Sequence, residues 1–66
     1  MQLRLNGSVA EAPEGATLEA LIGRLGLPAA RIAVERNGEI VPRGQYAGVV
    51  LAEGDVIEVV TLVGGG

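Results

Sequence analysis

Asn-Gly occurs twice in this chain, at Asn6-Gly7 and Asn37-Gly38. The dipeptide suits the positive φ angles of a two-residue turn, so each pair predicts two antiparallel strands joined tightly. The flanking residues agree. Leu3 and Leu5 alternate with Gln2 and Arg4 before the first turn, and Ser8-Val9-Ala10-Glu11 follows it. Ile32 and Val34 alternate with Ala33 and Glu35 before the second, and Glu39-Ile40-Val41 follows until Pro42 stops it. Alternation of this kind is the mark of a half-buried strand. Two hairpins are therefore expected, one at each side of the middle of the chain.

Between them lies a helical pattern. Leu18, Leu21, Ile22 and Leu25 recur at i, i+3, i+4 and i+7, which puts all four on one face. Thr17 is the expected N-cap and Gly26 the expected stop, with Pro28 preventing continuation. Glu19 and Arg24 stand where the helix dipole favours their charges. Gly23 in the interior weakens the helix by about 1 kcal/mol relative to Ala. Residues 43–52 read as an irregular crossing that holds Tyr46 and Val49-Val50-Leu51. Glu53-Gly54-Asp55 reads as a turn, and residues 56–63 as the last and longest strand. One helix laid across a mixed sheet buries an apolar stripe of each. The expected core is Leu3, Leu5, Leu18, Leu21, Ile22, Leu25, Ile32, Val34, Ile57 and Val59, with Tyr46 as a plug.

Composition narrows the chemistry. The 66 residues make one small domain, and 48% of them are hydrophobic while Tyr46 is the only aromatic. No cysteine and no histidine occur, which excludes a disulfide framework, a redox thiol, a zinc finger and a histidine base. Five arginines against eight carboxylates give −3, the wrong sign for nucleic-acid binding. The absence of lysine removes side-chain isopeptide acceptance. No segment has the length of a signal peptide core or a membrane span, so a cytoplasmic protein without membrane contact is expected. Such a chain reads as a partner of enzymes, not as an enzyme.

The last residues are Val63-Gly64-Gly65-Gly66. One reading is an incidental, frayed terminus on an interaction module. The other is functional: a strand running into glycines projects a carboxylate on a thread without Cβ atoms, able to enter a narrow channel. That carboxylate can attack the α-phosphate of ATP inside a partner enzyme, and the acyl adenylate is then open to a sulfur nucleophile. On this reading residues 1–63 are one domain and 64–66 a flexible tail.

Several segments together resemble the ThiS-type sulfur carriers of thiamine biosynthesis, members of the ubiquitin-like β-grasp fold. They are Leu5-Asn6-Gly7, Gly15-Ala16-Thr17-Leu18, the run from Val34 through Asn37-Gly38 to Pro42-Arg43, Glu53-Gly54-Asp55, and the triple-glycine end. The likeness covers essentially the whole chain. It implies an α+β fold with a mixed four- to five-stranded sheet packed by one helix, the first and last strands adjacent and parallel at its centre. It also implies that the Gly66 carboxylate is adenylated by an E1-like, ThiF-type enzyme that consumes ATP and magnesium, with no cofactor or metal bound by the carrier itself. Gly65 serves as the thread. A cysteine desulfurase or related donor supplies the sulfur, and a ThiG-type thiazole synthase receives it. The small subunit of molybdopterin synthase and ubiquitin-like modifiers share the fold and the diglycine end; the short length and the Asn37–Arg43 segment disfavour the former.

A docking face is also expected. Glu58 cannot face the core, so Ile57, Val59, Thr61 and Val63 point inward, and Val60 and Leu62 share the solvent face with Glu58. With Gly64 they make the candidate partner-binding residues, unless the 43–52 segment covers them. Glu53, Asp55 and Glu58 lack the spacing of a metal loop. Arg4, Arg36 and Arg43 form no run and read as solvated or as partner contacts.

Overall fold

The computed structural model describes residues 1–62. Both Asn-Gly pairs turn the chain as expected, with positive φ at each central residue: 50° and 84° at Asn6-Gly7, 53° and 85° at Asn37-Gly38. The first turn joins β1 (Gln2–Leu5) to β2 (Ser8–Glu11), and the second joins β3 (Ile32–Arg36) to β4 (Glu39–Ile40). Between the hairpins lies α1 (Leu18–Leu25). Thr17 caps it by accepting the Ala20 N–H at 3.2 Å, and Gly26 ends it at φ 71°. β5 (Val56–Thr61) comes last.

The sheet order is β2-β1-β5-β3-β4. β5 lies at the centre, parallel to β1 and antiparallel to β3. Parallel neighbours require a long crossover, which α1 and both hairpins supply. This is the β-grasp arrangement. α1 buries Leu18, Leu21 and Ile22 in a core with Leu3, Ile32, Val34, Ile57 and Val59 from the sheet. Two 3-10 turns, at Ala29–Arg31 and Arg43–Gly48, complete the connections, and the second delivers Tyr46 into the core beside α1. Leu51 and Ala12 are buried there as well. The chain at 49–51 is tied to the start of α1 by Leu18 N–H to the Val49 carbonyl and Leu51 N–H to the Ala16 carbonyl, both 2.9 Å.

Three expectations about burial do not hold. Leu25 is 37% exposed because it belongs to the last turn of α1, next to the Gly26 stop, where the helix runs past the packed core. Leu5 is half-buried and packs only against the core's margin. Thr61 shares the inward face by period but is exposed, since it ends the strand. Val63, expected inward, and residues 64–66 lie outside the described residues.

The Glu53-Gly54-Asp55 turn forms, with Gly54 at φ 83°, and it also holds the network that locks β5. Asp55 is buried. Its Oδ2 accepts from Arg36 Nε at 3.0 Å and the Ala52 N–H at 2.9 Å, and its Oδ1 accepts from Asn37 Nδ2 at 3.0 Å. Arg36 is thus engaged within the chain although it stays partly exposed: it makes this ion pair and donates to the Val50 carbonyl at 3.2 Å. Burial desolvates the Asp55 carboxylate and pushes its pKa up. The bonds from Asn37 and Ala52, with the Arg36 pair, outweigh that and hold it below the usual 3.8.

Two predictions follow from core and clamp. Leu21→Ala should cost about 2–5 kcal/mol in urea denaturation, a large share of the stability of a domain this small. Because the folded pKa of Asp55 is depressed, its contribution is fully present above the unfolded value of 3.8 and is lost as pH falls through the folded value. Asp55→Asn should therefore cost about 1–3 kcal/mol at pH 7 by leaving donors unsatisfied, and should flatten the stability profile below pH 3.8.

Candidate functional site

The face of the sheet opposite α1 is the surface this fold leaves open. Glu58 cannot be buried without a partner, so the alternation of β5 sends Ile57 and Val59 inward and Val56, Glu58 and Val60 outward. Leu62 continues that outward series. Val60 is 58% exposed and Leu62 54%, so residues 43–52 do not cover them. Gly64, Gly65 and Gly66 lie outside the described residues.

Strand register extends the face beyond what β5 alone suggests. Arg4 lies opposite both Val9 and Val56, so these three share the outer side. Glu35 lies opposite both Glu58 and Ile40, and Ala33 opposite Val60. Ile40 is 72% exposed. Val9, Val56, Val60, Leu62 and Ile40 thus scatter apolar surface around a pair of carboxylates. No sequence period in these short strands singles out Val9 and Ile40; the register assigns them to one face.

The paired carboxylates are unusual. Like charges directly opposite across an antiparallel ladder destabilise it. Neither Glu35 nor Glu58 has an ion-pair partner among the described residues. Arg4 instead turns back on its own hairpin, donating to the Gly7 carbonyl at 3.3 Å. The face therefore presents apolar side chains and negative charge together.

β5 is held in place behind this face by side chains that imitate backbone. Asn6 Oδ1 accepts the Val59 N–H at 2.8 Å, and Asn6 Nδ2 donates to the Val59 carbonyl at 3.1 Å. At the start of the strand Asn37 Oδ1 accepts the Val56 N–H at 2.9 Å. Both asparagines of the Asn-Gly turns thus grip the central strand, a role beyond their turn geometry.

Grooves also lie elsewhere on the described body. One of about 330 Å³ is lined by Ala12, Pro13, Leu21 and Arg24, and its guanidinium is already bonded to the Glu11 carbonyl at 2.9 Å. No helix of the described residues is long and apolar enough to cross a membrane.

Since Val60 and Leu62 make no core contact, Val60→Asp and Leu62→Asp should each change stability by no more than about 0.5 kcal/mol. Thermal denaturation checks this, and a cooperative loss of several degrees would show that the face is structurally engaged.

Known proteins share this arrangement. The model of the ThiS family matches residues 3–66. The thiazole synthases of Paramagnetospirillum magneticum and Magnetococcus marinus are 46% and 50% identical to the whole chain, which spans 20% of the length of each. The sulfur carrier protein ThiS of Bacillus subtilis is 40% identical over 65 residues, covering 97% of this chain and 98% of that protein. The crystal structure of the thiamine biosynthesis protein ThiS of Geobacter metallireducens superposes with a TM-score of 0.86 at 29% identity, over the full length of both chains. With its fold and its motifs in agreement, the chain belongs to the ThiS family.

Proposed function

We propose that this chain carries sulfur for thiazole formation in thiamine biosynthesis, with the carboxyl group of Gly66 as the sulfur-bearing site. The observation that carries the reading is the Val63-Gly64-Gly65-Gly66 segment, placed directly after the strand whose outer face is exposed, within a family match that runs through residue 66. The body holds no cysteine or histidine, so the reacting atoms belong to that carboxylate and to the enzymes that handle it.

The chemistry divides between carrier and partners. A ThiF-type, E1-like enzyme binds ATP and magnesium, and the Gly66 carboxylate attacks the α-phosphate and releases pyrophosphate. The acyl adenylate has AMP as leaving group. The persulfide sulfur from a cysteine desulfurase attacks the acyl carbon and displaces AMP, a thiol cleaves the acyl disulfide so formed, and the resulting thiocarboxylate passes sulfur to thiazole synthase. Two relatives named thiazole synthase support the last partner, because a segment like this whole chain forms a fifth of each of those polypeptides. The carrier is a co-substrate of these enzymes, not itself an enzyme.

Gly64, Gly65 and Gly66 supply reach and slimness. A thread without Cβ atoms fits a channel that excludes other residues and adopts backbone angles closed to them. Docking falls to Val60, Leu62 and their outer-face neighbours with Glu58. Burying an aliphatic side chain against a partner contributes about 1.5–3 kcal/mol, while a carboxylate in that contact opposes it.

Two experiments test the reading. Given ATP, magnesium and the E1-like enzyme, the chain should support pyrophosphate exchange. Truncation after Val63, deletion of Gly66 or Gly65→Val should abolish exchange and thiazole formation without loss of fold. Full thiazole formation by the truncated chain would make the glycines incidental and end the proposal. Val60→Asp or Leu62→Asp should weaken binding to the adenylating enzyme about tenfold or more, equivalent to about 1.4 kcal/mol. Wild-type affinity in both would remove this face from the interface.

A further inference from the structure

The two neighbours of β5 differ in reach. β3 accompanies it from Ile57 to Thr61, whereas the pairing with β1 ends at Leu5↔Ile57. Hydrogen bonds fix which way each backbone group of β5 points. The Asp55 and Ile57 carbonyls accept from the Arg4 and Asn6 amides at 2.9 Å, and Val59 bonds the Asn6 carboxamide, all on the β1 side. Val56 bonds to Asn37, and the Leu62 N–H donates to the Arg31 carbonyl at 2.7 Å, both on the β3 side. By the two-residue period, Thr61 presents its N–H and C=O to the β1 side. There the first hairpin has already turned away at Asn6-Gly7. Outside the strand ladders, neither group of Thr61 bonds to a backbone or side-chain group among the described residues, and the residue is exposed.

Asn6 gives this edge a defined start. A carboxamide carries the donor and acceptor of a peptide unit, so Asn6 stands where the next residue of β1 would be and closes the edge at Val59. Thr61 is therefore the first open donor–acceptor pair, one pleat further along an ordered ladder. It lies between the exposed side chains of Val60 and Leu62. An N–H and a C=O on one residue are both satisfied by an extended backbone in register, which exchanges two bonds with it.

We infer that Thr61 is the docking point for an extended segment of thiazole synthase, which adds as a strand beside β5 in the space that the short β1 leaves. The inference rests on the carrier reading and names how its partner holds it. Backbone pairing at this edge places the partner's strand five residues ahead of Gly66, within about 17 Å of chain. The pairing thus fixes the direction in which the glycines are offered. A second copy of the chain is the poorer occupant, because two bodies of net charge −3 would have to meet edge to edge. A strand from a protein partner adds by main-chain bonds, and pockets for alternate side chains such as Val60 and Leu62 provide selectivity.

Amide hydrogen exchange on the isotope-labelled chain tests this, alone and with the host's thiazole synthase. In the free protein the Thr61 amide should exchange within about tenfold of an unstructured chain, and the Leu62 amide more slowly because it is bonded. In the complex the Thr61 amide should slow by about a hundredfold or more. Thr61→Pro removes the outward N–H and fixes φ, changes that an unpaired edge position tolerates, and should weaken synthase binding by about tenfold. An unprotected Thr61 in a complex that forms would overturn the inference. So would wild-type binding by a folded Thr61→Pro chain, failure of the synthase to bind, or protection that rises with carrier concentration alone. The carrier reading fails separately: sulfur transfer that depends on Gly66 with an unprotected Thr61 removes the edge docking alone, and transfer that survives truncation after Val63 removes the carrier reading itself.

Discussion

Only two residue pairs, Arg4↔Val56 and Leu5↔Ile57, join the first strand to the last, and the fold depends on that short parallel seam. It closes more than fifty residues of chain, the costliest loop in the molecule to order. Side chains lengthen it at both ends. Asn6 continues it to Val59, and Asp55 anchors its start through Arg36, Asn37 and Ala52. Asn6 reaches across from the first hairpin, and Arg36 and Asn37 from the second. β5 is consequently fixed in the centre of the sheet, with one face in the core and the other open to solvent.

On the proposed reading, that arrangement lets a body with so little chemistry take part in a reaction. Its aliphatic core and polar clamps hold one strand rigidly, and the strand leads toward the glycines. The carrier then needs only to be recognised and to present a carboxylate. On the proposed reading, recognition by a partly apolar face suits a module handled in turn by several enzymes, since each partner supplies its own pocket for the reacting group. The carboxylates of Glu35 and Glu58 lie opposite each other on that face and add charge to it.

Much of this was legible in the residues. The Asn-Gly turns, the Thr17 and Gly26 caps and the alternation of β1, β3 and β5 are local signals, and the structure follows them. Burial at element ends was not legible. Leu25 and Thr61 obey the period of their elements, yet lie where helix and strand outrun one another, which only packing decides. The Asp55–Arg36 pair was missed because its partners stand 19 residues apart and meet only when β5 enters the sheet. The outer face was legible along β5 through Val60 and Leu62, while Val9 and Ile40 joined it through register between strands. The triple glycine was read for its chemistry from the start, and its residues lie beyond the described part of the fold.

The most direct test of the central claim is the intact mass of the chain isolated from its native host, with thiazole synthase withheld so that the product accumulates. The account predicts a fraction heavier by the replacement of one oxygen with sulfur, confined to the fragment that contains Gly66. A chain whose mass never departs from the unmodified carboxylate while sulfur donor, adenylating enzyme and ATP are present would contradict it.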